Sequence, residues 1–283
     1  MKAQPALRDV HDLTEYFIGR VNDILTSRGL ITAGWEEIAL RHKNGQVEPN
    51  PAMVKRQLMP YTWNTIWGDG GEENPYKLAN LGYKVVLSNA TNLYFDLSYD
   101  KDPEEAGYYW AGYTDTEDAF KFLPMDYYQS AEKDVLGNLI DYSSRYKTAT
   151  RLTQKGQNNI QGIQCQLWGE TIRTAVRIEY LLFPRMCALA ERAWSVAPAW
   201  ANINQVEHRQ EFYKKDWNQF ANRLGQIELP RLDYLFDGIQ YRIPLPGAKL
   251  ANGHLMANMP FSGLTIRYTT DGSEPTETSS IFK

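Results

Sequence analysis

Residues 85–96 read VVLSNATNLYFD, and this stretch carries the clearest strand signal in the chain. Residues 85–87 are a short apolar run typical of a buried strand, and residues 93–95 predict that the strand resumes beyond the turn-prone asparagines. Similar runs, rich in apolar, aromatic or β-branched residues, predict three further strands at residues 30–35, 59–67 and 162–168. The sequence therefore predicts four buried strand regions.

Helical periodicity accompanies these strands. Apolar residues recur at helical intervals over residues 12–29, 178–194 and 213–225. The first pattern opens with capping-box spacing and predicts a surface helix of about 17 residues that ends at Gly29. In the second pattern Pro184 is expected to kink the helix, because proline cannot continue the backbone hydrogen-bond ladder. Gly225 is expected to end the third helix.

The pattern of residue types changes after residue 240. Residues 243–247 read IPLPG, which is typical of a linker, and residues 264–268 alternate apolar and polar side chains before the Asp271-Gly272 turn. This pattern predicts a β module, but residues 241–283 hold fewer than half of the roughly 100 residues that a β-sandwich needs. We therefore expect residues 1–240 to form one domain and residues 241–283 to start an incomplete second one.

Composition and charge exclude several classes of protein. The chain has 30 Lys and Arg against 34 Asp and Glu, a formal net charge of −4, and so lacks the basic stripe of a nucleic-acid binder. Its longest apolar stretches fall far short of the roughly 20 residues that a membrane helix needs. No signal peptide is visible at its start. We expect neither a nucleic-acid partner nor a membrane span.

Cysteine and histidine usage argues against a metal centre. Cys165 and Cys187 are too few for a disulfide scaffold or a four-cysteine zinc site, and two buried thiols are expected in preference to one bridge. The four histidines show no paired helical spacing. The chain is instead rich in aromatic residues, with 18 Tyr, 10 Phe and 8 Trp, which sugars stack on but which also fill ordinary cores.

Each predicted strand ends in an aromatic residue close to a polar one: Trp35 with Glu36, Trp63 with Asn64, Tyr94 with Asp96, and Trp168 with Glu170. Residues two apart on a strand share a face, so the members of the last two pairs are expected to point the same way. An aromatic ring can cover the C–H face of a sugar while a carboxylate binds its hydroxyl groups. One such pair is more often core packing, but four in succession indicate a sugar site.

Three segments carry a family resemblance: residues 85–112 (VVLSNATNLYFDLSYDKDPEEAGYYWAG), residues 167–173 (LWGETIR) and residues 179–194 (EYLLFPRMCALAERAW). Together they resemble the C-terminal half of family 20 glycoside hydrolases, the bacterial chitobiases and β-N-acetylhexosaminidases. The resemblance runs from about residue 12 to the end. It implies an α/β fold: the C-terminal half of a (β/α)8 TIM barrel, strands five to eight, followed by a helix and a partial immunoglobulin-like β domain.

The resemblance also implies an activity, the release of terminal N-acetylhexosamine from chitooligosaccharides or glycans, with no metal and no cofactor. Members of the family use substrate-assisted retaining catalysis, in which the substrate's own 2-acetamido carbonyl attacks the anomeric carbon. Tyr94 matches the tyrosine that donates a hydrogen bond to the acetamido oxygen. The other matching residues surround the sugars: Trp35, Trp63 and Trp168 as aromatic walls, Asp96 and Glu170 as hydroxyl-binding carboxylates, and Trp110 as the platform for the next sugar.

The catalytic acid pair of the family lies in a His-x-Gly-Gly-Asp-Glu motif, and this sequence has no such motif. Residues 70–73 imitate it, but Gly68 replaces the histidine, so Glu72 and Glu73 are expected to be solvated loop charges. We expect the chain to be an inactive portion of a hexosaminidase that is periplasmic, outer-membrane-associated or secreted. The alternative is a non-catalytic sugar-binding module, whose open barrel edges would promote self-association.

Overall fold

The computed structural model describes residues 10–43 and 45–282, except for the side chain of His11. The start of the chain, where no signal peptide is predicted, lies outside these residues. Among the residues described, no helix is long and apolar enough to cross a membrane. Nor do any three of their His, Cys, Asp and Glu side chains form a group that could hold a metal ion.

The chain folds into two compact units. The first runs to Thr171 and also includes Glu191–Ser195, and the second comprises Ile172–Ala190 and the chain from Val196 onward. These units divide the chain at other residues than the predicted domain boundary near residue 241, which stays a prediction.

The strands of the first unit lie, among its described residues, at β1 Ala33–Trp35, β2 Leu40–Lys43, β3 Gln46–Pro49, β4 Met59–Thr62, β5 Val85–Leu87 and β6 Ile160–Ile163. Parallel pairing joins β1, β4, β5 and β6 in that order into a four-stranded sheet, while β2 and β3 form an antiparallel hairpin. Each predicted strand region overlaps one strand of the sheet, although every strand is shorter than predicted. Parallel neighbours in chain order are what successive crossover units produce.

The helices of the first unit lie, in the part that the structure describes, at α1 Val10–Thr26, α2 Asn74–Leu81, α3 Ala90–Leu93, α4 Thr116–Lys121, α5 Tyr142–Arg145 and α6 Gln154–Gln157. The first predicted helix is confirmed as α1, which begins two residues earlier than its capping-box spacing suggested. It ends shortly before Gly29, whose φ of 72° is a left-handed conformation that glycine adopts readily.

The core of the first unit lies where α2 packs against the sheet. Tyr76 and Leu78 of α2 and Val85 and Leu87 of β5 are all fully buried. The ring of Tyr76 lies 4.3 Å from that of Tyr127, which is also fully buried. Burying large apolar and aromatic surfaces on one side of a sheet stabilises the whole unit and fixes the strand ends that follow.

The prediction that the third strand resumes at residues 93–95 is wrong. Ala90–Leu93 forms α3, a single helical turn, and Tyr94 makes only an isolated parallel bridge with Gln166. The first amide N–H of α3 donates to the carbonyl oxygen of Trp63 at 3.1 Å, which holds the turn against the end of β4. Leu93 is therefore the last residue of a helical turn, and Tyr94 and Phe95 follow it without forming a strand.

The shared strand face predicted for Tyr94 and Asp96, and for Trp168 and Glu170, is also wrong. Asp96 lies in a turn, and β6 ends at Ile163, well before Trp168. Strand alternation therefore does not orient either pair. Their proximity has to come from the loops that follow β5 and β6.

Glu72 and Glu73 are not the solvated charges that the sequence predicts. Glu72 is buried, and its carboxylate accepts hydrogen bonds from the backbone N–H groups of Gly68 at 2.9 Å and Gly70 at 2.6 Å. Glu73 is half-buried and accepts from the backbone N–H and hydroxyl of Thr150 at 3.0 and 2.6 Å. The physical reason is local, because a loop that turns its N–H groups inward needs an acceptor for them.

The described residues of the second unit form α7 Ala175–Leu182, α8 Arg185–Trp194, α9 Val206–Arg223, α10 Leu229–Leu232, β7 Gly247–Ala251, β8 His254–Asn258, β9 Arg267–Tyr268 and β10 Ser280–Ile281. From Glu191 onward, α8 is grouped with the first unit. Pro184 separates α7 from α8 and does not merely kink one helix. The core of this unit brings buried apolar side chains of the α9–α10 region onto Phe261.

Gly225 does not end the third predicted helix. The chain continues from α9 through a wider π-helical turn, Leu224–Glu228, into α10. A Cβ atom at Gly225 would lie 2.0 Å from the carbonyl oxygen of Ser262, so the glycine is needed there for close packing. A glycine that permits close approach and a glycine that ends a helix look alike in a sequence.

The β character predicted for the tail is confirmed. β7 pairs antiparallel with β8, and β9 pairs antiparallel with β10. Of the alternating residues 264–268, only Arg267–Tyr268 forms a strand, and the predicted turn is present at Gly272 with a φ of 80°. The β7–β8 hairpin begins directly at the end of the predicted linker.

Neither Cys165 nor Cys187 forms a disulfide, so the expected unbridged thiols are confirmed. Both cysteines are half-buried, whereas full burial was expected. Burial raises the pKa of Cys187 to about 11. At neutral pH this thiol is therefore protonated and a poor nucleophile.

Candidate active site

A cavity of about 560 Å³ opens on the first unit beside the ends of the parallel strands. Its lining contains all seven residues that the family resemblance assigns to the site and two others: Trp35, Glu37, Trp63, Tyr94, Asp96, Tyr108, Trp110, Trp168 and Glu170. Residues spread over more than 130 positions of the chain thus meet in one place. Their individual roles toward a substrate stay predictions.

The sheet explains why these residues meet. Trp35 is the last residue of β1, and Trp63 directly follows β4. Tyr94 and Trp168 lie in the loops after β5 and β6, and the carboxyl ends of parallel strands all face one edge. Two backbone hydrogen bonds join those two loops. Phe95 N–H donates to the Gln166 carbonyl oxygen at 2.7 Å, and Gln166 N–H donates to the Leu93 carbonyl oxygen at 2.9 Å.

Aromatic rings form the walls of the cavity. The rings of Trp35 and Trp168 lie 5.7 Å apart, and Trp110 packs edge-on against Trp63 at 6.0 Å and against Tyr94 at 5.6 Å. Trp110 and Trp168 are 41% and 40% exposed. Indoles that are held at their edges but open to solvent suit stacking against a sugar better than they suit filling a core.

Tyr94 is buried within the wall and keeps its phenolic proton. Burial raises its pKa well above the ordinary value, and the carboxylates of Asp96 and Glu36 act in the same direction. A side-chain hydrogen bond with Trp168 acts in the opposite direction but does not outweigh burial. At physiological pH the hydroxyl is therefore a neutral group that can donate a hydrogen bond into the cavity.

The loop that carries Trp110 is fixed to the backbone around Asp96. Tyr108 N–H donates to the Asp96 carbonyl oxygen at 2.9 Å, Ser98 N–H donates to the Tyr108 oxygen at 2.7 Å, and Thr114 N–H donates to the Ser98 oxygen at 3.0 Å. We call this set of hydrogen bonds the loop clamp. Because of the clamp, the backbone position of the exposed Trp110 loop depends on that of Asp96.

Glu36, predicted as the polar partner of Trp35, points away from the cavity. Its side chain is 2% exposed, and its carboxylate accepts hydrogen bonds from the backbone N–H groups of Asn64 and Trp63. Burial, and next the neighbouring charge of Glu37, raise the pKa of Glu36 to about 8. The carboxylate that reaches the cavity instead is Glu37, one residue further along.

We expect Glu36 to make stability fall as the pH rises. Between about pH 5 and pH 8 the native protein holds a proton on Glu36 that the unfolded chain has already released, so the free energy of unfolding decreases with pH in this window. Glu36→Gln cannot ionise, so the variant should match the wild type near pH 5 and exceed it in stability at pH 8. Urea denaturation at four pH values measures this difference.

The control for this experiment is Glu104→Gln, which alters an exposed glutamate in a loop outside the cavity. That variant should follow the wild-type pH dependence. A Glu36→Gln variant with the same slope as the wild type would show that the buried carboxyl group is not the source.

Two family models match the chain. The model described as the catalytic domain of glycosyl hydrolase family 20 matches residues 1–197. This chain belongs to glycoside hydrolase family 20. The model of the chitobiase/beta-hexosaminidase C-terminal domain matches residues 228–281. The family expected from the sequence is therefore confirmed. It is a family of β-N-acetylhexosaminidases, which have an α/β domain of the TIM-barrel type and a C-terminal domain.

The chain is also similar to individual members of family 20. It is 34% identical to the N,N'-diacetylchitobiase of Vibrio harveyi over 93% of this chain and 29% of the relative. It is equally identical to a beta-hexosaminidase of Vibrio vulnificus, over 95% of this chain and 32% of the relative. The chain thus spans 29% to 32% of the length of these curated relatives.

Solved structures of family 20 members share the fold. The crystal structure of the exo-β-N-acetylglucosaminidase from Vibrio harveyi, in complex with N-acetylglucosamine, superposes with a TM-score of 0.53 at 25% identity, over 85% of this chain and 29% of that one. The N-acetyl-β-hexosaminidase of Streptomyces plicatus superposes with a TM-score of 0.51 at 21% identity, over 80% and 35%. The second likeness bears on the fold alone.

Two cavity residues escape prediction from the sequence, and both have family 20 motif residues as neighbours. Glu37 follows Trp35 in Gly-Trp-Glu-Glu, where the first glutamate looks like the partner of the ring. Tyr108 precedes Trp110 in Gly-Tyr-Tyr-Trp, where the tryptophan carries the stronger signal. A turn of the backbone after β1 decides which glutamate reaches the cavity, and the sequence does not reveal it.

Proposed function

We propose that this chain is the substrate-binding portion of an exo-β-N-acetylhexosaminidase of the chitobiase type. In this proposal β1, β4, β5 and β6 are strands five to eight of the barrel, and the tail from residue 241 is the start of an immunoglobulin-like domain. The observation that carries the proposal is the cavity, where aromatic faces and carboxylates from four strand ends converge. Terminal N-acetylhexosamine, with apolar ring faces and peripheral hydroxyl groups, fits such a lining.

The proposed reaction uses the substrate's own acetamido group as nucleophile. Its carbonyl oxygen bonds to the anomeric carbon as the glycosidic bond breaks, and the leaving oxygen takes a proton from the general acid. The acetamido group gains positive charge in this step, and the phenol of Tyr94 donates a hydrogen bond to its oxygen. The raised pKa of Tyr94 supports this role, because the donor stays protonated at the pH of the reaction. The hydrogen bond would hold the oxygen on the attacking trajectory.

The remaining cavity residues bind and orient the sugars. Trp35, Trp63 and Trp168 would enclose the acetamido group and the terminal ring, while Asp96 and Glu170 accept hydrogen bonds from outer hydroxyl groups. Trp110 would stack against the second sugar, which is the leaving group. Sugar hydroxyl groups bound by carboxylates make charge-assisted hydrogen bonds, which are stronger than neutral ones.

The general acid of the proposed enzyme comes from outside this sequence. The carboxylates of Glu72 and Glu73 are engaged by their own loop and by Thr150, and neither lines the cavity. The 29% to 32% share of the relatives' length supports a larger protein. Without a positioned acid, which is typically worth about 10² to 10⁴-fold in rate, residues 1–283 alone should not turn over substrate.

The alternative of a non-catalytic sugar-binding half barrel has less support. Within the described residues β1 and β6 are the outer strands of the sheet, and an open edge can pair with another chain. Such an edge serves equally well for the remaining strands of a barrel in the same chain. Self-association and a periplasmic, outer-membrane or secreted location stay predictions.

Trp110 provides the test of this proposal in the full-length enzyme. We expect Trp110→Ala to lower kcat/KM for chitobiose about fivefold, because losing a stacking platform costs about 1 kcal/mol, while a substrate with a small synthetic leaving group is affected less. Since the side chain is 41% exposed, Tm should change little. Steady-state kinetics with both substrates and a thermal melt measure these effects.

The matched control is Tyr109→Ala, which truncates the neighbouring ring on the same loop. Tyr109 is 68% exposed and does not line the cavity, so neither substrate should be affected. Equal losses on both substrates in Trp110→Ala, together with a drop of several degrees in Tm, would instead make Trp110 a structural residue and contradict the proposed leaving-group subsite.

A further inference from the structure

Glu37 is bonded to one of the tryptophans that form the cavity wall. Its Oε1 atom accepts a hydrogen bond from the indole Nε1–H of Trp63 at 3.0 Å. Glu37 lies just after β1 and Trp63 just after β4, so the bond joins the ends of two neighbouring strands. A carboxylate acceptor makes this bond stronger than a bond between two neutral groups.

The backbone of Trp63 is already fixed by other groups. Its N–H donates to the buried carboxylate of Glu36, and its carbonyl oxygen accepts from Ala90 N–H at 3.1 Å and from Thr65 N–H at 2.8 Å. With the backbone held, the remaining freedom of this residue is rotation of its side chain. The position of the acceptor for the indole N–H therefore decides how the ring lies.

The ring of Trp63 is only partly held by packing. It is half-buried, and it packs against the buried cluster that contains Tyr94 and Leu97. It also contacts the ring of Trp110, with the ring centroids 6.0 Å apart and the ring planes at 72°. An edge-to-face contact of this kind depends on the angle of both rings, so a rotation of Trp63 would disturb Trp110 as well.

We propose that Glu37 is a positioning residue that fixes the ring plane of Trp63 and, through it, the seating of Trp110. This inference rests on the proposed function, in which both tryptophans contact sugar. One oxygen of Glu37 is engaged by the indole, whereas Asp96 and Glu170 are the carboxylates assigned to sugar hydroxyl groups. Glu37 acts on substrate binding through the aromatic wall and not through its charge.

Two substitutions separate these roles in the full-length enzyme. Glu37→Gln keeps an oxygen that can accept the indole N–H but removes the charge, and Glu37→Leu removes both. Ring orientation is followed by ¹⁹F NMR of protein labelled with 5-fluorotryptophan, in which the Trp63 resonance is identified by its loss in Trp63→Phe. Binding of N-acetylglucosamine is measured by isothermal titration calorimetry, with Glu104→Leu as an exposed control outside the cavity.

We expect Glu37→Gln to keep the Trp63 resonance in place and to change Kd less than twofold. Glu37→Leu should shift the resonance and weaken binding about fivefold, roughly the loss of one aromatic stacking contact with the sugar. Since Glu37 is exposed, its variants should melt close to the wild type. Rescue by glutamine is the result that a positioning role requires.

Equal loss of binding in both variants with an unmoved resonance would overturn the inference, because Glu37 would then bind the sugar through its charge. Unchanged binding in Glu37→Leu would overturn it too. If the wild type fails to bind N-acetylglucosamine, the proposed function fails, while the ¹⁹F spectra still report whether Glu37 sets the ring orientation.

Discussion

Replacing Tyr94 by phenylalanine in the proposed full-length enzyme should lower kcat by about 10²-fold, the loss that a nucleophile misplaced by about 1 Å can produce. The hydroxyl group is expected to hold the acetamido oxygen on its attacking trajectory, while other cavity residues still bind the sugar, so KM should change much less. Packing should survive, because phenylalanine keeps the ring that contacts Trp110 at 5.6 Å. Steady-state kinetics on an aryl N-acetylglucosaminide measure both constants.

Tyr109→Phe is the matched control for this substitution, since it removes a phenol that is 68% exposed and does not line the cavity. Its kcat should equal that of the wild type. If Tyr94→Phe instead keeps kcat and raises only KM, then Tyr94 serves recognition or packing, and its proposed catalytic role is wrong.

Gly107→Ala should lower Tm by several degrees and weaken sugar binding more than tenfold. Gly107 has a φ of 121°, and an added Cβ would lie 2.6 Å from both the Asp96 carbonyl oxygen and the Ser98 N. Strain and overlap of this kind cost about 2 kcal/mol or more. The overlapping atoms belong to the loop clamp, so the backbone shift that removes the overlap should displace Asp96 and the Trp110 loop together.

Gly137→Ala separates backbone strain from this overlap. Gly137 has a φ of 87°, but nothing lies within 4 Å of the Cβ that alanine would add. It should therefore show only the cost of a left-handed alanine, about 1 kcal/mol, and no loss of sugar binding. Equal effects of the two substitutions, by thermal melts and calorimetry, would mean that the clamp does not hold the site in place.

The strand positions follow from the sequence because short apolar runs must be buried, but their lengths do not. Residues 93–95 are as apolar as a strand, and their burial is real, yet Ala90–Leu93 closes a helical turn against the end of β4. Hydrophobicity reports burial and leaves the backbone conformation open when the run is so short. Gly225 is misread for another reason, because a glycine that allows close packing looks like one that ends a helix.

The sequence predicts which residue types line the cavity better than it predicts which of two adjacent side chains faces inward and what that side chain bonds. All seven residues that the family resemblance assigns to the site line the cavity, whereas Glu36 and Asn64, the polar partners expected at two strand ends, do not. Glu37 and Tyr108 are missed because which of two adjacent residues turns inward depends on backbone geometry. Glu72 is misread for a related reason: inward-facing N–H groups, invisible in a sequence, draw a carboxylate into a loop.

The bridge between Tyr94 and Gln166 has a consequence for the thermodynamics of binding. It extends strand-like pairing beyond β5 and β6, so Tyr94 and the segment leading to Trp168 are held in place before any ligand arrives. Ordering a flexible loop on association costs conformational entropy, and a preformed wall avoids that cost. In the proposed enzyme, little of the binding free energy of the first sugar ring would then be spent on ordering the protein. A ligand as small as a monosaccharide makes few contacts, so it gains most from a preformed wall.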